Sequence, residues 1–237
     1  MDFTKHPFGL PASNPKANIV NTILKENYLC QKENRISNAC GIVSIVLKLC
    51  FDAVDVPVSI KYGILKFINK MRLPHVWLDF QGHILDNTFM VYQDEDTFIK
   101  IKTMGVCEYE EGTGNTEHLF LGDQDNRRLG IPDHNKNEFQ VLLKRPESTM
   151  TIAVRNMPHI GAYYHRMREI MDRQFKVSIK NFFDRSADTK CWACDGEKPT
   201  EELKKCSVCK VACYCDKTCQ KKDWKEHKHV CWKPESA

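Results

Sequence analysis

The 237-residue chain is predicted to fold as an α+β domain followed by a separate, small C-terminal module, and three observations carry that expectation. Apolar residues at helical spacing come first, alternating runs follow from Val58, and a helical pattern returns over 159–175, which is an α+β order rather than alternating βαβ units. The twelve cysteines are unevenly spread: Cys30, Cys40, Cys50 and Cys107 are scattered, and the other eight lie between Cys191 and Cys231. A composition of 42% apolar and 28% charged residues excludes a disordered, collagen-like or coiled-coil chain.

Asn14-Pro15 opens a helix in which Ile19, Val20, Ile23 and Leu24 share a face. Ser37 or Asn38 caps a second helix, about Ala39 to Phe51, that is apolar nearly all round and therefore buried. Val58, Ile60 and Tyr62 alternate as a strand, Pro74 to Phe80 forms another, and Gln81-Gly82 turns the chain so that His83 to Phe89 returns. Phe98 to Thr103 and Phe139 to Lys144 read as further strands. The acidic, turn-rich stretch from Glu108 to Asn137 reads as a solvated insertion. A helix over 159–175, with Ile160, Tyr164, Met167 and Met171 on one side, completes a domain of residues 1–180. The polar segment 181–190 is the expected linker, and 191–231 the second domain.

That second domain is built on ligand spacing. Cys191-x2-Cys194, Cys206-x2-Cys209, Cys215-x3-Cys219 and His227-x3-Cys231 are four pairs, each with the gap that a tetrahedral zinc ion takes from one knuckle or one helical turn. Eight ligands make two closed sites, so two structural Zn²⁺ are expected and no position is left for a reactive water. So short a segment buries too little apolar area to fold alone, and the metal supplies the folding free energy. Zinc is favoured over an iron–sulfur cluster because an imidazole belongs to the set. Cys213 and His229 are left over, as a buried thiol and an exposed imidazole. Asp216 caps a helix from about Lys217 to Lys228 that puts Gln220 and Trp224 on one face.

Taken together, Cys-x2-Cys-x11-Cys-x2-Cys-x5-Cys-x3-Cys-x7-His-x3-Cys, with Tyr214 before Cys215 and Gln220 after Cys219, resembles the MYND-type zinc finger. The resemblance implies interleaved pairing, with Cys191, Cys194, Cys215 and Cys219 on one zinc and Cys206, Cys209, His227 and Cys231 on the other. It also implies a shallow groove for short proline-containing peptides of a partner protein, lined by Gln220 and Trp224. The Asn-His-Ser-Cys signature of SET methyltransferases, a class that often carries this finger, is absent.

Charge argues against nucleic acid as a partner. The formal +4 counts thiols as neutral, and seven thiolates set against two zinc dications remove three charges, leaving +1. A membrane is not expected either. The longest apolar stretch, Gly41 to Phe51, is too short to span a bilayer, and Met1 to Pro11 lacks the pattern of a signal peptide. A reducing compartment follows, cytoplasmic and/or nuclear, where clustered cysteines hold metal rather than form disulfides.

The hairpin carries a second candidate site. Val76, Leu78 and Phe80 face one way, toward the core, and His75, Trp77 and Asp79 the other. With the turn at Gln81-Gly82, Phe80 pairs with His83, Trp77 with Asp86 and His75 with Thr88, so Asp86 is a diagonal neighbour of His75. A slip of one residue would put Asp86 on the opposite face. Cys40, at the start of the buried helix, is where backbone N–H groups lower a thiol pKa and hold an oxyanion. Ser-Asn-Ala-Cys-Gly at 37–41, His-Val-Trp-Leu-Asp at 75–79 and Ile-Leu-Asp-Asn-Thr at 84–88 resemble the transglutaminase-like branch of the papain-type fold. The resemblance implies an antiparallel sheet and a catalytic Cys40–His75–Asp86 set that passes an acyl group through a thioester. Two functions therefore stand at the sequence level. One is an interaction protein whose finger docks peptides beside a scaffold domain. The other is a cysteine-dependent amide hydrolase or acyl transferase whose finger recruits substrate.

Overall fold

The computed structural model describes residues 9–36, 39–67, 72–86, 88, 106–111, 145–184, 188–196 and 202–234. The chain divides into two compact units, residues 1–136 with 163–179 and residues 137–162 with 180–237. Helices combine with two small antiparallel sheets, the mixed architecture the sequence predicts.

In the first unit, α1 (Ala17–Glu33) buries Val20, Ile23 and Leu24. The segment ahead of it is pinned by Asn21, whose Oδ1 accepts from the Leu10 N–H at 2.9 Å and whose Nδ2 donates to the Leu10 carbonyl at 2.8 Å. Helix α2 (Cys40–Asp52) is enclosed on nearly all sides. Its one buried hydroxyl, Ser44 Oγ, donates to the Val76 carbonyl at 3.3 Å and ties the helix to the sheet. Ala39 occupies the N-cap without a side-chain cap bond, and the two expected caps, Ser37 and Asn38, lie outside the described residues.

The sheet runs β3-β2-β1-β4, all antiparallel, from β1 (Ser59–Phe67), β2 (Arg72–Phe80), β3 (His83–Leu85) and β4 (Val106–Glu111). Gln81 and Gly82 both take positive φ, 52° and 82°, giving a two-residue turn whose twist matches the strands. That turn sets the register: Phe80 lies opposite His83 and Leu78 opposite Leu85. The ladder ends there, and Asp86 follows it directly.

Two expectations are corrected. Glu108–Glu111 belongs to a strand paired with β1, not to a solvated insertion, because β1 would otherwise leave an open edge. His75 and Trp77 are buried together with Val76 and Leu78, since β2 is a central strand enclosed on both faces. The expected strands Phe98 to Thr103 and Phe139 to Lys144, and most of the acidic stretch, lie outside the described residues.

The helix expected over 159–175 is α4 (Pro158–Ile170), which follows α3 (Pro146–Asn156) in the chain and runs into a single π turn at Met171–Phe175. Ile160, Tyr164, Met167 and Met171 are buried on its inner side. Within the first unit, the Tyr163 hydroxyl donates to Asn27 Oδ1 of α1, and both residues are fully buried.

The second unit contains a helix beyond the expected elements, α3 (Pro146–Asn156), with proline at its start where a missing N–H costs nothing. Gly161 makes the sharp corner after it possible, because a Cβ there would stand 2.8 Å from the Val154 carbonyl oxygen. The remainder is a two-stranded ribbon of β5 (Lys204–Lys205) and β6 (Cys213–Tyr214), followed by α5 (Lys217–His227). No helix among the described residues is long and apolar enough to cross a membrane.

Candidate functional site

Two knuckles of the same construction begin the C-terminal site. Asp195 and Lys210, each next after the second cysteine of a Cys-x2-Cys pair, take left-handed φ of 54° and 59°. Their N–H groups donate to the carbonyls of Cys191 and Cys206 at 2.9 and 3.0 Å. Each turn thereby aims two sulfurs the same way. Helix α5 delivers Cys219 and His227, and Asp216 fixes its start by accepting from the Thr218 and Cys219 N–H groups at 2.8 and 2.9 Å.

The eight side chains converge as two sets of four, Cys191, Cys194, Cys215 and Cys219, and Cys206, Cys209, His227 and Cys231, with the ligand atoms of each set within 4.8 Å of one another. The pairing is interleaved, so each ion would cross-link segments far apart in sequence. The fit to zinc can be tested on the spacing. Sulfurs about 2.3 Å from one tetrahedral ion stand about 3.8 Å from each other. The measured separations are 3.8 Å for Cys194–Cys215, 4.0 Å for Cys194–Cys219 and 3.7 Å for Cys206–Cys231, and His227 Nε2 lies 3.7 Å from Cys209 Sγ. These distances are far too long for disulfides.

Electrostatics points the same way. Burial pushes the Cys191 thiol up, but the N–H groups of Cys215, Ala193 and Cys194 overcome it and hold the thiol down at about 7. Cys206 is lowered by the same balance, burial being outweighed by the N–H groups of Cys209 and Val208. Cys219 and Cys231 are pushed up to about 12 by burial and by the neighbouring sulfurs. Four sulfurs gathered in this way repel as thiolates, and a dication removes the repulsion. His227 is held neutral by burial, the form a metal needs, with the rings of Trp192, Tyr214 and Trp224 centred 6.0, 6.1 and 5.8 Å away. Each set of four can therefore bind one zinc ion.

Helix α3 is part of this unit's core. Ile152 is fully buried among Cys191, Val211, Tyr214 and Val230. One turn further on, Asn156 Nδ2 donates to the carbonyls of Cys209 and Trp232 at 2.9 and 2.7 Å. At the other end Arg145 pairs with the buried Asp223, reaches Glu226 Oε2 at 3.2 Å, and Asp223 also accepts from the Tyr214 hydroxyl at 2.8 Å. Neither Arg145 nor Asn156 has the spacing of a ligand, so no sequence signal marked them. Asn156→Ala is expected to leave two carbonyls without their donor and to cost about 1–3 kcal/mol. Urea unfolding of the zinc-loaded chain measures this, and an unchanged midpoint would count against the clamp.

Cys213 is buried and its thiol donates to the Val211 carbonyl at 3.3 Å, while His229 is half-buried. Trp224, in contrast, is 45% exposed, and Gln220 lies one turn before it on the same helix.

The three residues singled out in the N-terminal part also come together. His75 Nε2 is 2.7 Å from Asp86 Oδ2, with the carboxylate almost fully buried. Cys40, the first residue of α2 and half-buried, lies within hydrogen-bonding reach of the same imidazole. Burial alone would pull His75 down. The Asp86 carboxylate, and after it Cys40, outweigh burial and hold the imidazole up at about 10. The Trp77 ring lies nearly parallel to His75 with centroids 6.5 Å apart. The helical ladder of α2 begins with the Val43 N–H on the Ala39 carbonyl at 2.9 Å, which leaves the N–H groups of the first turn beside the thiol outside it.

The fold and the paired four-ligand clusters define a small zinc-binding module joined to a mixed α+β unit. Residues 191–231 match the model of the MYND finger family, and such a finger is a protein-interaction module. Eleven curated proteins match significantly. Histone-lysine N-methyltransferase ASHR1 of Arabidopsis thaliana is 35% identical over 84 residues, 34% of this chain and 17% of its own length. Histone-lysine N-methyltransferase SMYD1 of Homo sapiens is 45% identical over 49 residues, 21% of this chain and 10% of its own length. The chain thus spans about a sixth or less of the length of these relatives. No solved structure matches the chain significantly.

Proposed function

We propose that this chain is an interaction protein whose zinc-stapled finger docks short proline-containing peptides of a partner protein, with the larger α+β unit as scaffold. The observation that carries the reading is Trp224, a large aromatic left 45% exposed on the helix that supplies Cys219 and His227. Ring stacking on proline suits a flat, rigid aromatic, and Gln220 beside it offers an amide to the peptide backbone. The near-neutral charge of the metallated chain argues for a peptide rather than nucleic acid. A protein dependent on seven thiolate ligands belongs to a reducing compartment, cytoplasmic or nuclear. A screen of the zinc-loaded chain against proline-containing peptides should yield binders that lose about tenfold or more affinity in Trp224→Ala. Absence of any binder, or full affinity in the variant, overturns the reading.

A second reading is favoured by the Cys40–His75–Asp86 arrangement, with its 2.7 Å contact between imidazole and carboxylate. The α+β unit is then transglutaminase-like, a cysteine-dependent amide hydrolase or acyl transferase to which the finger brings substrate. The Cys40 thiolate adds to an amide carbonyl carbon, and the N–H groups opening α2 stabilise the resulting oxyanion. Protonated His75 gives its proton to the departing amine as the C–N bond breaks and a thioester forms. Water or an acceptor amine, losing its proton to His75, then attacks the thioester and releases the acid or the new amide together with Cys40. Labelling of Cys40 by an electrophilic probe that disappears in His75→Ala supports this reading. Slow, equal labelling of every metal-free thiol removes it.

A further inference from the structure

Asp86 does not hold His75 unaided. Thr88, buried two residues on, gives Asp86 Oδ1 two hydrogen bonds, from its backbone N–H and from its hydroxyl, both 2.9 Å. The same Oγ1 lies 3.3 Å from His75 Nε2. A hydroxyl has one proton, and here it is committed to the carboxylate, so toward the imidazole Oγ1 can only accept. Nε2 thus meets two acceptors, Asp86 Oδ2 at 2.7 Å and Thr88 Oγ1 behind it.

We propose that Thr88 is the positioning residue of the Cys40 site: it fixes the plane of the Asp86 carboxylate and keeps the proton on His75 Nε2, so that Nδ1 is the nitrogen that exchanges a proton with Cys40. The proposal rests on the cysteine-dependent reading above. Both oxygens of Asp86 are engaged, one by Thr88 and one by His75, and the carboxylate can neither rotate away nor take up the proton meant for the imidazole. The hydroxyl matters more than the backbone N–H because it alone reaches both partners. Tyr62 of β1 also faces Cys40, and its phenol is pushed well up by burial and by Cys40, so it stays neutral.

The test is the pH profile of Cys40 alkylation by iodoacetamide, read on the Cys40 peptide by mass spectrometry in the zinc-loaded full chain. In the unaltered protein Cys40 should be alkylated at neutral pH about tenfold or more faster than the other metal-free thiols. Thr88→Val should lower the rate at neutral pH about tenfold, the loss of one charge-assisted hydrogen bond, and Thr88→Ser should restore it. An activated Cys40 whose profile is unmoved in a folded Thr88→Val protein overturns the role of Thr88 alone. A Cys40 that reacts like a free thiol in the unaltered protein overturns the cysteine reading beneath it. If Thr88→Val does not fold, the imidazole nitrogens decide. In Cys40→Ser above about pH 10, where His75 becomes neutral, ¹⁵N shifts should show it protonated on Nε2, and protonation on Nδ1 instead overturns the proposal.

Discussion

Stripping the metal with a strong chelator is expected to unfold the second unit while the first keeps its secondary structure. The cores differ in kind. The finger's buried side chains include Cys191, Cys206 and Cys209 at 0–1% exposure, so its centre consists of the ligands themselves. With zinc removed, two sets of four ligand atoms within 4.8 Å remain as seven crowded thiols and one imidazole, and Cys219 and Cys231 must keep their protons because burial and neighbouring sulfur hold them near 12. Structural zinc contributes about 10–16 kcal/mol per site, more than a unit of this size gains from apolar burial. Circular dichroism with tryptophan fluorescence follows the loss, since Trp192 and Trp224 report on His227. Asn156 and Ile152 tie α3 to the same core, so α3 should lose protection against hydrogen exchange along with the finger. A finger that keeps its fluorescence and protection without metal would contradict the account.

His75→Ala is expected to cost about 3–5 kcal/mol, a large effect for one residue outside the aliphatic core, because it strands a buried carboxylate. Asp86 Oδ2 would lose its 2.7 Å contact with the imidazole in a setting with about 1% exposure, while the Thr88 bonds to Oδ1 remain. Asp86→Asn should be milder, since an amide can be buried neutral. The pH dependence follows from the direction of the shift. His75 is raised from 6.5 to about 10 in the folded chain, so its contribution is complete below about pH 6.5 and is lost as pH rises through about 10. Urea midpoints of the first unit measured from pH 6 to 10 should therefore fall with rising pH, and fall less steeply in Asp86→Asn. A flat profile, or one rising with pH, would contradict a protonated His75.

The ligand spacing was legible because zinc takes its ligands from short loops and helical turns, so the four ligand pairs and the Asp216 cap could be read from residue order, while their interleaved assignment to two clusters came from the resemblance to the MYND-type finger. Local chemistry set the hairpin in the same way: Gln81-Gly82 determined the turn, and the turn carried the register that brings Asp86 to His75. What escaped depended on long-range packing. Helix α3 has an ordinary amphipathic pattern, and nothing in Arg145 or Asn156 shows that their partners lie at Asp223, Cys209 and Trp232, between 53 and 78 residues away. The burial of both faces of β2 escaped for a related reason, since His75 and Trp77 alternate with apolar residues as they would on a half-solvated strand. Thr88 did follow a local pattern, a hydroxyl two residues after an aspartate, but that pattern is common in turns, and only the 3.3 Å approach to His75 distinguishes this one.

Native mass spectrometry of the chain expressed in zinc-supplemented medium tests the account at its centre, because the finger's fold, its exposed Trp224 and its docking role all depend on metal. The expected mass is that of the chain with two zinc ions, less the protons that the seven thiolates release on binding. A chain that is folded and carries one zinc or none would contradict it.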